Sequence, residues 1–247
     1  MSIDRAIYIA ASGASEAQNA QALHANNIAN SNTAGFKAQY ETQRALPVYK
    51  SGLPTRVYSA TYSPGNDYSG GSIIDAESNL NVYFKDQGFF AVQGEGQVEG
   101  YTRRGDFTID QDGQLINGDG YPVIGASGII VLPPFENVNI SDTGEIFVKL
   151  ANSTSEEMVF VNQLKLVNPD VKALVKSSDT LFRLQDSSIA DNDENIRIAS
   201  RGYENSNVNA VNELLSMIDR TRNLEMDLTL IHKVEENAQS ASRLLSI

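Results

Sequence analysis

The sequence predicts an α+β chain, with long N- and C-terminal helices paired in a coiled-coil-like layer and a central all-β domain between them. Three observations carry this prediction. Residues 3–30 and 210–245 each place apolar or small residues at alternating steps of four and three. Residues 210–245 contain neither Pro nor Gly. The long stretch between the two alternates short β-prone runs with Gly- and Asp-rich turn signals about every ten residues. The expected partition is 1–35 and 203–247 as a terminal helical domain, 36–76 as an extended connecting arm, and 77–202 as the central β domain.

The first helix has a seam of Ile3, Ile7, Ala10, Ala14, Ala17, Gln21, His24 and Ile28. At 1.5 Å per residue it is about 42 Å long. Alanine buries little area, so its contacts are close but individually weak. The helix runs into Asn30-Ser31-Asn32-Thr33-Ala34-Gly35. These residues compete with helical backbone bonding or tolerate a left-handed conformation, so the chain must turn there.

Residues 36–71 are rich in Tyr, Pro, Ser and Gly, and Pro47, Pro54 and Pro64 rule out a continuous helix. Beyond Ser78 the β-prone runs begin, among them Phe89-Phe90-Ala91-Val92, Ile129-Ile130-Val131-Leu132 and Leu181-Phe182-Arg183-Leu184. Two stretches, 107–115 and 138–146, share a pattern in which a strand meets an Asp-x-Gly turn and resumes with an apolar residue two positions later. The likeness is short and reads as repeated turn chemistry.

Gly202–Asn209 is a second Asn-containing junction, after which the last helix extends about 54 Å. Its predicted seam includes Leu214, Met217, Thr221, Leu224, Leu228, Ile231, Glu235, Ala238, Ser242 and Leu245. A helix of this length needs lateral support. The partner for one terminal helix is therefore the other, or a neighbouring copy.

Composition excludes several function classes. The hydrophobic share is 41% and the net charge is -12, most of it in the central region. An acidic middle argues against binding nucleic acid or an anionic membrane surface, both of which reward clustered Lys and Arg. The absence of cysteine removes disulfides, thiol catalysis and Cys-based metal sites. No stretch of about 18 apolar residues exists to span a membrane. The start, Met1-Ser2-Ile3-Asp4-Arg5, lacks a basic segment followed by a continuous apolar run, so no cleaved signal peptide is expected.

No catalytic, cofactor or metal site is expected. Asp110, Asp112 and Gly113 resemble the opening of a calcium loop, but the twelfth position is Tyr121 and not Glu, which favours a plain turn. Gly94-Glu95-Gly96 and Gly118-Asp119-Gly120 lack the Lys-Ser/Thr ending of a phosphate loop. His24 and His232 lie on opposite helices, and packed imidazoles at a helix seam are expected there, since two histidines alone make a poor metal site. Nothing near them forms a nucleophile elbow. Asn152-Ser153-Thr154 fits the N-glycosylation pattern without further consequence.

Residues 25–37, Ala-Asn-Asn-Ile-Ala-Asn-Ser-Asn-Thr-Ala-Gly-Phe-Lys, closely resemble the signature of the bacterial flagellar rod and hook family. Ser206-Asn207-Val208-Asn209 with Glu213, Met217, Ile218, Arg222 and Glu225 is similar to that family's C-terminal block. The β motif from Gly105-Asp106-Phe107 to Gly120-Tyr121-Pro122-Val123-Ile124-Gly125 extends the likeness over nearly the whole chain. Within the family, residues 44–49 and 52–58 look most like members of the proximal rod, with those of the distal rod next. The resemblance implies a non-enzymatic drive-shaft subunit in the periplasmic part of the basal body. Its partners would be other rod subunits, copies of itself and the flagellar type III export apparatus. A cell-wall carbohydrate-binding β protein is the rival from another class, but it would need an aromatic and carboxylate cleft, and the chain has no Trp.

On this reading the subunit interface comprises Ile3, Ile7, Ala10, Ala14, Ala17 and Ile28 with Leu214, Met217, Leu224, Leu228, Ile231 and Leu245. The junction comprises Asn26, Asn27, Asn30, Asn32, Gly35, Phe36, Asn207 and Asn209. The Asn side chains would bond backbone, Gly35 would permit a bend, and Phe36 would anchor the arm.

Overall fold

The computed structural model describes residues 3–47, 57–151 and 157–245. The Asn152-Ser153-Thr154 pattern and Pro54 lie outside them. Two long helices and a multi-strand β region make the chain α+β. The described residues form two compact units.

The first unit holds helix α1 (Ile3–Ala29), strands β1 (Gln39–Pro47) and β2 (Val57–Asn66), and helix α2 (Ala210–Leu245). Helix α1 ends where Asn30 turns back, its amide and its side-chain Nδ2 both donating to the Asn26 carbonyl, at 3.1 and 2.9 Å. Helix α2 begins with an Asn cap: Asn209 Oδ1 accepts from the amides of Val211 and Asn212, each at 3.1 Å. Those are two of the donors that a helix start leaves unsatisfied, and Glu213 in the first turn complements the helix dipole.

Strands β1 and β2 form an antiparallel ribbon paired from Gln39↔Asn66 to Pro47↔Val57, with a bulge between Tyr40 and Thr42. The segment expected as an extended arm is thus divided. Its residues 39–47 and 57–66 form this ribbon, grouped with the helices and packed on α1, and its residues from 68 onward group with the β unit. Prolines exclude helix, but Pro47 at a strand end is compatible with a two-stranded ribbon whose outer edges carry no ladder bonds.

The second unit comprises residues 32–36 and 68–207. Strands β3 (Ile73–Asp75), β4 (Val82–Phe84), β5 (Phe89–Gln93) and β6 (Glu99–Thr102) are followed by β7 (Thr108–Ile109), β8 (Leu115–Ile116), β9 (Ile124–Gly125) and β10 (Gly128–Ile129). Then come β11 (Phe135–Ile140), β12 (Glu145–Leu150), β13 (Val159–Gln163), β14 (Leu166–Val167), β15 (Leu174–Lys176), β16 (Phe182–Leu184), β17 (Ile198–Ser200) and β18 (Gly202–Glu204). The main sheet has the order β14-β5-β6-β16-β15, and a three-stranded sheet has β11-β12-β13. The remaining strands form pairs, including β17-β4 and β18-β3.

Strand β5 shows why the unit folds as it does. Phe89, Phe90, Ala91 and Val92 are all buried, although successive side chains of a strand point to opposite faces. Phe90 and Val92 join one core with Phe84, Phe107, Leu115 and Ile146; Phe89 and Ala91 join a second with Tyr101, Val167, Leu174 and Phe182. A continuous apolar run therefore marks a strand covered on both faces.

The two sequence stretches with matching turns fold alike. Gly113 N–H donates to Asp110 O (3.0 Å) and Asp110 N–H to Gln114 O (3.0 Å); Gly144 N–H donates to Ser141 O (3.1 Å) and Ser141 N–H to Glu145 O (2.9 Å). Asp110 thus serves a turn, with its carboxylate accepting from the Gln111 amide at 2.7 Å.

Candidate assembly surface and junction

In the first unit the helices run antiparallel: His24 Nδ1 meets Glu213 Oε2 at 2.5 Å, and Gly13 lies beside Asp227. Ala10, Ala14, Ala17 and Ala20 are buried, Ile7, Gln21, His24 and Ile28 half-buried. On α2 the half-buried row is Glu213, Met217, Arg220, Leu224, Asp227, Ile231, Val234 and Ala238, again at steps of four and three. Since Glu213 and Asp227 both meet α1, this row faces it. Of the residues named from sequence for this helix, Met217, Leu224 and Ile231 lie in that row, whereas Leu214 and Leu228 are exposed. The side chains of Ile3 and Leu245 are outside the described ones.

A second α2 row went unread in the sequence. Val211, Leu215, Ile218, Met226 and Leu230 are exposed, Val211 at 67% and Met226 at 62%. Met226 and Leu230 line a shallow groove with Arg222, Glu225, Thr229 and Lys233. The β1–β2 ribbon packs on α1, leaving this row of α2 uncovered among the described residues. The signal was present in the step from 211 to 215 to 218, one register away from the seam. The two histidines are held apart, His24 by Glu213 and His232 at 3.8 Å from Glu235.

Asn27 is fully buried and pairs with the backbone of Gln39 in both directions, Nδ2 donating to its carbonyl (2.8 Å) and Oδ1 accepting from its amide (3.0 Å). It thereby fixes the start of β1 against the end of α1. Asn26 contributes its carbonyl, Asn30 its side chain, and Asn32 is exposed.

In the second unit, residues 32–36 are a short clip. Gly35 has φ +64°, and a Cβ there would stand 2.4 Å from Arg104 N and 2.5 Å from Arg103 C. Both the left-handed backbone and the close approach to another backbone demand glycine. Gly35 N–H donates to Glu204 O at 2.7 Å, and Phe36 O accepts from Asn207 N–H at 3.4 Å. Phe36 is buried, with the Lys176 ammonium 4.2 Å above its ring. The ring attracts that charge, but burial dominates and pushes the Lys176 ammonium down to about 8. Asn207 Nδ2 donates to Ser69 O at 3.2 Å.

Behind the clip lies a buried ion pair. Arg103 Nε and Nη2 reach Glu204 Oε2 at 2.9 and 2.8 Å, and Arg103 Nη1 donates to Gly88 O at 2.8 Å. The guanidinium stacks 4.9 Å from the Phe84 ring centre. Neither Arg103 nor Lys176 stood out in the sequence, because a base at or just past a strand end carries no pattern of its own.

Three family profiles match the chain in order. Residues 7–37 match the flagella basal body rod protein profile, 84–148 the flagellar hook protein FlgE/F/G D1 domain, and 200–244 the flagellar basal body rod FlgEFG protein C-terminal region. The flagellar basal-body rod protein FlgF of Escherichia coli K12 is 36% identical over 99% of this chain and 100% of its own length. This chain belongs to the flagellar basal-body rod protein family. FlgF of Salmonella typhimurium LT2 is likewise 36% identical over 99% of this chain and all of its own length. FlgG of Agrobacterium fabrum C58 is 29% identical over 98% of this chain and 99% of its own. Within the family the chain is most like FlgF, in line with the proximal-rod likeness of residues 44–49 and 52–58. The matched ends, 7–37 and 200–244, contain the clip, the buried Glu204 and nearly all of both helices.

Proposed function

We propose that this rod-family chain is a structural subunit of the flagellar rod, of the FlgF type, which polymerises through its terminal helices to transmit torque. The observation that carries the mechanism is the exposed apolar row Val211, Leu215, Ile218, Met226 and Leu230 on a helix whose opposite row already faces α1. A helix with two apolar rows and one partner has a face to offer to another helix. The small-residue seam lets α1 and α2 approach closely, in a coiled-coil-like pair that would line an inner tube. The β1–β2 ribbon would act as an arm and the β unit as an outer layer. Helices running along a shaft spread torque over many lateral contacts between subunits joined head to tail.

The partners are copies of the chain and other rod subunits, delivered by the flagellar type III export apparatus. The role is structural and not catalytic, as in the rod relatives. The FlgG relative supports a second reading, a distal rod position, and the identity of neighbouring subunits separates the two.

A double variant Leu215→Glu/Met226→Glu tests the mechanism. It is expected to keep the stability and helix content of the isolated chain while disappearing from purified basal bodies and abolishing swimming. Normal incorporation of this variant would refute assembly through that row.

A further inference from the structure

The chain passes into the β unit twice, through residues 32–36 and again at Tyr68, and leaves it after Asn207. The two incoming segments converge on one residue of the outgoing strand β18. The Glu204 carbonyl accepts the Gly35 amide at 2.7 Å, and Glu204 Oε1 accepts the Gly71 amide at 2.8 Å. The remaining carboxylate oxygen is held by Arg103, whose side chain is itself fixed by the Gly88 carbonyl and by stacking near Phe84. The pair is almost wholly buried, with side-chain exposures of 8% and 4%. Next in sequence, Asn205 N–H donates to Ser72 O at 2.8 Å.

We propose that Glu204, oriented by Arg103, is a junction lock: a single residue of the outgoing strand that fixes both segments by which the chain comes into the β unit. Backbone pairing of β18 with β3 already ties the second incoming segment to the outgoing strand at Ile73–Asp75. The buried carboxylate extends that hold past the ladder to the Gly71 amide, so that the carbonyl and the side chain of one residue bond both incoming segments. The carboxylate must be held by a cation, because an uncompensated charge in this position is costly. The two incoming segments and the outgoing strand thereby share one anchor, and a displacement of any of them is felt by the others. The lock is a property of the isolated chain and does not depend on the rod reading.

The test is amide hydrogen exchange by NMR on the full chain. Glu204→Gln retains the backbone carbonyl that serves Gly35 but removes the charge that holds Arg103 in place. The lock predicts that Gly35 and Gly71 amides exchange faster together, by about tenfold or more, while the turn amides of Gly113 and Gly144 keep their rates. Acceleration of Gly71 alone, or of neither glycine, would overturn the shared anchor. Should Glu204→Gln fail to fold, Arg103→Met/Glu204→Met replaces the pair by apolar volume, a change that buried ion pairs commonly tolerate. The same joint acceleration is expected there, and wild-type exchange at both glycines would count against the lock. Loss of rod assembly with unchanged exchange would bear on the proposed function and leave the lock refuted on its own terms.

Discussion

Gly35 is constrained twice at the scale of one residue, by its positive φ and by backbone atoms within 2.6 Å of where a side chain would begin. Gly35→Val is therefore expected to destabilise the β unit by more than about 3 kcal/mol, measured by chemical unfolding, and to impair assembly. Stability within about 0.5 kcal/mol of the parent would contradict the geometry. Lys176 makes a pH-dependent prediction. Its ammonium is held down to about 8 by burial, so between about pH 8 and its unfolded value near 10.5 the folded chain binds less proton than the unfolded chain. Stability should rise with pH across that window, and the rise should vanish in Lys176→Met. At pH 7, where the charge is present in both states, Lys176→Met should be the more stable form. An unchanged pH profile in that variant would show that the ammonium is not desolvated at Phe36.

The helix bounds were legible at the scale of elements because their signals are local: an Asn-rich stop after Ala29, an Asn start at 209, and no breaker between 210 and 245. Asn209→Ala removes the acceptor for two amides and should cost about 1 kcal/mol of stability, with the loss of exchange protection confined to the first turn of α2. The α2 seam was legible only in part. Met217, Leu224 and Ile231 belong to the row that faces α1, but that row also includes Glu213, Arg220 and Asp227, charged residues that an apolar pattern passes over. Charge at this seam follows from the packing, since Glu213 meets His24 and Asp227 lies against Gly13. The apolar side chains displaced from it, Leu214 and Leu228, join the exposed surface. The ribbon of β1 and β2 was not legible, because a Pro- and Tyr-containing stretch tells only that helix is excluded.

For the whole molecule, the family and the α+β arrangement could be read from the signature and from the change of period between the ends and the middle. What could not be read is how the signature divides. Its Asn27 serves the helical unit by pairing with Gln39, while Gly35 and Phe36 belong to the β unit, part of a five-residue stretch that packs with a different core from its neighbours. That division depends on Glu204, Arg103 and Lys176, which are distant in sequence and chemically ordinary until they are brought together. The central claim, that the terminal helices build a shaft, is tested most directly by cryo-electron microscopy of purified basal bodies. Residues 3–29 and 210–245 are expected to form antiparallel helix pairs around a central tube, with Leu215 and Met226 seated against a neighbouring subunit. Helices present but facing solvent along that row, or density for this chain absent from the rod, would contradict it.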